Sequence, residues 1–157
     1  MTATDKRGRL EIHVQNVSSC ESVPSAETLK TWVRCALGND LRGALTVRIV
    51  DEPESADLNE RYRHVQGATN VLAFPADESV LPPMNELPSA GDLVICAPVL
   101  EQEACVQGKS LQAHWAHISI HGALHMLGFG HDRDEAAQVM EAREIELLES
   151  LGFGDPY

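Results

Sequence analysis

The sequence predicts one layered α/β domain of the α+β kind, with a four-stranded mixed sheet and about five helices. Three observations carry this reading. Four short segments have strand character, at residues 10–17, 45–50, 70–74 and 92–96. Segments with helical apolar spacing lie between and after them. The 157 residues, 43% hydrophobic and 23% charged, suit a single globular core.

In chain order, residues 1–8 are polar and read as a loose tail, leaving 9–157 as the domain. Leu10-Glu11-Ile12-His13-Val14-Gln15-Asn16-Val17 alternates with period two, as a half-buried strand does. Pro24-Ser25 opens a helix in which Leu29, Trp32, Val33, Ala36 and Leu37 form one stripe, and Gly38 stands where a capping glycine belongs. A second strand follows at 45–50, and strand–helix–strand at this spacing suggests a parallel crossover. Residues 51–64 read as a helix, with Pro53 tolerated in the first turn. Pro75 ends a short strand at 70–74, which is the expected antiparallel edge. Four prolines in 75–91 indicate a long loop. After the fourth strand come helices near 98–107, at 111–127 (stopped by Gly128), and from about Asp132. Glu135 would complete a capping box in that last helix, and Val139, Met140, Leu147, Leu148 and Leu151 would form its apolar face.

Composition narrows the function classes. No apolar run approaches the roughly 18 residues of a membrane span, and Met1 to Arg7 has no apolar core of a secretory leader, so a cytoplasmic protein is expected. The four cysteines, at 20, 35, 96 and 105, contain no C-x-x-C pair and read as reduced thiols in or near the core. A net charge of −12 argues against a general nucleic-acid binder. The charge is uneven: +2 over residues 1–50, −8 over 51–131 and −6 over 132–157.

The chemistry concentrates in His121-Gly122-Ala123-Leu124-His125-Met126-Leu127-Gly128-Phe129-Gly130-His131. His121 and His125 are i, i+4 on a helix, so both rings leave one face and can share an ion. Gly128 breaks the helix and lets the chain return His131 to the same point. Three neutral imidazoles leave a fourth tetrahedral position open, as catalytic metal sites do. They suit Zn2+, although nickel, copper and iron also accept imidazole. The metzincin protease pattern H-E-x-x-H-x-x-G-x-x-H fits except at one place. Gly122 stands where the protease has the glutamate that activates water, and glycine cannot move a proton, so that chemistry is disfavoured. His114 and His117, upstream on the same helix, are candidate supporting groups or proton carriers.

These residues resemble the YbeY family of bacterial rRNA maturation factors, whose hallmark is approximately H-G-x-L-H-L-x-G-Y-D-H. Further matching blocks are Leu58-Asn59-Glu60-Arg61-Tyr62-Arg63, Thr69-Asn70-Val71-Leu72-Ala73-Phe74-Pro75, Gly91-Asp92-Leu93-Val94-Ile95-Cys96 and Ala113-His114-Trp115-Ala116-His117. The chain departs from the hallmark at Met126, Phe129 and Gly130, which replace Leu, Tyr and Asp. Asp132, displaced by one residue, is the candidate substitute for the missing carboxylate.

The resemblance implies one zinc-type ion on His121, His125 and His131, and cleavage of single-stranded RNA. It further implies action in 16S rRNA 3′-end maturation and ribosome quality control, and a functional arginine at Arg63. Single-stranded rRNA and the ribosome, or small-subunit assembly proteins, are the expected partners, with no membrane involved. In an acidic protein, RNA needs a local path of cations, for which Lys30, Arg34, Arg42, Arg48 and Arg61 are the candidates. Two rival readings share the site: a metal-dependent hydrolase of another substrate, and a non-enzymatic assembly factor whose metal is structural.

Overall fold

The computed structural model describes residues 9–77 and 86–157. The expected tail at 1–8 and the middle of the expected 75–91 loop lie outside the described residues. Among the described residues nine elements follow in order: β1 (Leu10–Asn16), α1 (Ala26–Leu37), β2 (Gly43–Val50), α2 (Glu52–Arg63), β3 (Val71–Pro75), β4 (Ser89–Cys96), α3 (Ala97–Gln107), α4 (Leu111–Met126) and α5 (Asp134–Ser150). The sheet order is β1-β2-β4-β3. β1, β2 and β4 run parallel, and β3 pairs antiparallel with β4 at the edge. The α+β class with a four-stranded mixed sheet is thus as the sequence predicts, including β3 as the antiparallel edge.

The two faces of the sheet bury different sets of side chains. Leu10, Ile12, Leu45, Val47, Ile49, Leu93 and Ile95 form the main core with α1 and α4. Val50, Leu72, Val94 and Cys96 form a smaller cluster that Leu58 of α2 covers. The α1 stripe is buried at all five expected positions, and the Ser25 hydroxyl caps the helix by accepting from Thr28 N. α4 is buried on nearly every side, in keeping with a segment that has no Asp, Glu, Lys or Arg. It packs on β3 and β4, with α1, α3 and α5 around it.

Gly122 makes that packing possible. A Cβ there would lie 2.6 Å from Leu93 Cδ1 and 2.7 Å from Val71 Cγ2. The position that lacks the protease glutamate is therefore one where a side chain fits only if Leu93 and Val71 shift. Where α4 ends, Gly128 has φ +93°. Its N–H donates to the His125 carbonyl, and Phe129 N–H donates to that of Leu124. This is a Schellman turn, and it reverses the chain toward His131.

Several expectations are corrected. α5 begins at Asp134 with Arg133 at its cap and no side-chain capping bond, so Asp132 and Glu135 form no capping box. Residues 127–133 are used instead to return the chain. Val139 is exposed; the inward stripe of α5 is Met140, Glu144, Leu147 and Leu148. β4 starts at Ser89 and pairs with Ala44, so the loop before it is shorter than the prolines suggest. Cys96 is buried and all four cysteines are free thiols, but Cys105 is exposed and takes no part in the core.

Candidate metal centre

Helical spacing and the Schellman turn together converge three rings. The His121–His125 ring centroids are 4.6 Å apart, His125–His131 5.1 Å and His121–His131 5.7 Å. One ring nitrogen from each lies within 4.8 Å of the other two. Among the described residues no fourth His, Cys, Asp or Glu joins this trio. His131 is exposed, which leaves the group open to solvent on its side.

The donor set suits a cation. Glu144, on α5, accepts from His121 Nδ1 at 2.6 Å. An ionised carboxylate only accepts, so the His121 proton sits on Nδ1 and Nε2 keeps its lone pair. That Nε2 stands 3.1 Å from His125 Nε2. Burial, and then the neighbouring His121 and His131, lower the pKa of His125 and favour its neutral form. A neutral His125 can donate to His121 Nε2 or turn its own lone pair to an ion shared with it. A cation held by all three imidazoles satisfies the arrangement.

Glu144 is fully buried and also accepts from His117 Nε2 at 2.8 Å and from the Tyr157 hydroxyl. Burial opposes its ionisation, but the bonds from His117, His121 and Tyr157 outweigh this and hold its pKa at about 2. His117 therefore touches the trio through Glu144. His114 does not: its Nε2 meets Glu103 at 3.0 Å, away from the three rings. Asp132 is exposed and makes no hydrogen bond to His131 among the described residues.

Arg63, the last residue of α2, reaches across the free edge of β3. Its Nη2 donates to the Ala73 carbonyl at 2.6 Å, and its guanidinium lies 5.5 Å from the centre of the Phe74 ring. Arg63 and His125 line the same cleft of about 430 Å³, together with Val71, Leu72, Ala73, Pro75 and Gly122. The other expected cations are dispersed. Arg48 pairs with Glu54 and with Gln15, and Arg61 pairs with Asp57. Lys30 and Arg34 line a separate cleft of about 800 Å³ with Arg9 and His13, along β1 and the end of α1. Arg42 is exposed just before β2.

Glu144 and Tyr157 had escaped the motif reading. The available signal is a carboxylate at i+4 from Met140, inside the stripe that Leu147 and Leu148 continue.

A family model described as Endoribonuclease YbeY matches residues 13–152. The chain is 47% identical over 149 residues to the Endoribonuclease YbeY of Nitrosococcus oceani, covering 94% of this chain and 97% of that protein. It is 50% identical over 149 residues to the protein of that name from Pseudomonas putida, covering 94% and 93%. A Thermotoga maritima protein solved in solution shares the fold, with a TM-score of 0.56 and 20% identity over 88% of this chain and 91% of that one. With the family model spanning most of its length and relatives at this identity, the chain belongs to the YbeY endoribonuclease family.

Proposed function

We propose that this protein is a metal-dependent endoribonuclease that cuts single-stranded RNA, and that it acts in 16S rRNA 3′-end maturation and ribosome quality control in the cytoplasm. The observation that carries the reading is the cleft shared by Arg63 and His125, beside three converging imidazoles. His121, His125 and His131 are the residues that would hold a zinc-type ion. When bound, such an ion supplies Lewis acidity toward a phosphoryl oxygen and lowers the pKa of a water.

The protein's own groups would act as follows. Glu144 keeps His121 in the tautomer that presents Nε2. Arg63 is fixed by Ala73 through one of its five N–H donors, and the rest remain for a phosphate. A permanently charged planar fork is suited to the negative charge that spreads over the non-bridging oxygens as the phosphodiester breaks. In an acidic protein, affinity for free RNA is weak and falls steeply with salt. Docking would thus draw on a ribosomal or small-subunit assembly partner.

Metal analysis of the purified protein, with RNA cleavage by wild type, His125→Ala and Arg63→Ala, tests the reading. Wild type should carry about one transition-metal ion per chain and cleave. His125→Ala should lose both properties, and Arg63→Ala should keep the ion and lose cleavage. A chelator-sensitive activity on small esters with no RNA cleavage would defeat it.

A further inference from the structure

We propose that Tyr157 is a positioning residue for the three-histidine site: through its hydroxyl bond to Glu144, it fixes the carboxylate that orients His121 and so sets the affinity for the ion. The inference rests on the metal-site reading above and extends it to a segment that touches none of the three ligands.

Glu144 has no solvent exposure and lies in the apolar stripe of α5. A carboxylate in such a place needs partners for both oxygens. Oε1 has one, His121 Nδ1. Oε2 has two, His117 Nε2 and the Tyr157 hydroxyl. The two donors on Oε2 restrain rotation of the carboxylate about its last bond, and that restraint holds Oε1 on His121. His117 and His121 are both on α4. Among the described residues, Tyr157 is the one donor to Glu144 that comes from outside α4.

Tyr157 is itself held in place. Its ring meets the His117 ring edge-on, with centroids 5.4 Å apart and planes at 82°. Its N–H donates to Asp155 Oδ1, and the Lys109 ammonium donates to the neighbouring Pro156 carbonyl. Yet the residue as a whole is 62% exposed. A tyrosine this open contributes little to the core, and its buried end is the hydroxyl committed to Glu144. Such partners behind a metal-binding histidine fix the ring and raise its basicity.

The test is Zn2+ affinity by competition with a chromophoric chelator, together with the visible spectrum of the Co2+ form, for wild type, Tyr157→Phe, Glu144→Gln and the double variant. Tyr157→Phe removes one oxygen at a largely exposed residue. It should weaken Zn2+ binding about tenfold and Glu144→Gln about 100-fold, the two ends of the range for such outer partners. The double variant should bind no more weakly than Glu144→Gln alone. Metal-free Tyr157→Phe should stay folded and melt modestly below wild type, since Glu144 Oε2 keeps its bond from His117, and excess Zn2+ should restore its RNA cleavage, which a direct role in RNA contact would not allow. Wild-type Zn2+ affinity in Tyr157→Phe overturns the inference, as does a double-variant loss equal to the product of the single losses. Should Glu144→Gln fail to fold, the Tyr157→Phe affinity and Co2+ spectrum decide alone. If wild type binds neither Zn2+ nor Co2+, the ion-site reading itself fails, a result distinct from an unaltered Tyr157→Phe.

Discussion

Arg63 Nη2 donates to the Ala73 carbonyl at 2.6 Å, tying the end of α2 to the free edge of β3. This bond crosses from the face that α2 covers to the cleft that His125 lines. Arg63→Ala should therefore leave the core intact while removing cation and fork together. Loss of one such electrostatic group costs about 100- to 1,000-fold in turnover. Arg63→Lys keeps the charge but not the planar fork and should recover only part of the rate. Single-turnover cleavage with a fixed RNA, beside an unchanged thermal midpoint, checks this; wild-type turnover in Arg63→Ala would remove the residue from the mechanism.

Ion binding should be visible as stability. An ion at 100 times its dissociation constant adds about 2.7 kcal/mol, roughly 5–11 °C in midpoint for a domain of this size. Melting with Zn2+ and after chelation should differ by that order, and the difference should vanish in His125→Ala. A wild type indifferent to chelator would argue that the three rings hold no ion.

Gly122 sits under two opposing effects. Alanine in a helix gains up to about 1 kcal/mol over glycine. The new Cβ, however, would come within 2.6 Å of Leu93 and 2.7 Å of Val71, and over-packing costs about 1–3 kcal/mol. Packing should win, so Gly122→Ala is destabilised by about 1 kcal/mol net, and Gly122→Glu by more. Urea unfolding measures this, and a stabilised Gly122→Ala would mean that α4 can withdraw from the sheet at little cost.

The parts of this fold that sequence made legible are those whose signals are local. Alternation marked β1, the 29-32-33-36-37 stripe marked α1, and H-x3-H with Gly128 brought the three rings together. Partnerships across the chain were not legible. Arg48 looked like a free cation because its neighbours Gln15 and Glu54 meet it only once β1 and β2 pair and α2 packs. Glu144 carried no motif signal because His117, His121 and Tyr157 are supplied by other elements. The start of α5 was misread because Asp132 has capping chemistry, but the return loop needs the residues up to Arg133.

Asp51 predicts a pH dependence outside the metal centre. It sits at the start of α2 and accepts from the Ser18 hydroxyl, Ser19 N–H and Ser19 hydroxyl. The Ser18 bond first, and then both Ser19 bonds, lower its carboxyl pKa below the ordinary 3.8. A depressed folded value means the contribution is complete above 3.8 and is lost as pH falls through the folded value. Asp51→Asn should thus melt below wild type at neutral pH, with the gap closing in acid. A gap that stays constant down to the acid transition would show that the charge is irrelevant there.

The cations of the N-terminal third divide by their partners, and this decides which can meet RNA. Arg48 is committed to Glu54 through Nε and Nη2, the second bond at 2.9 Å, so its charge is already balanced. Lys30 approaches Glu27 only to 3.7 Å, and Arg34 bonds the neutral carbonyl of Leu10, so both keep charge facing the cleft they share with Arg9. Lys30→Glu with Arg34→Glu should therefore weaken single-stranded RNA binding more than Arg48→Glu does. Removing two phosphate contacts should lower the slope of log K against log salt by about 1.4. Fluorescence anisotropy across a salt series measures both slopes; an unchanged slope in the double variant would place the RNA elsewhere on the molecule.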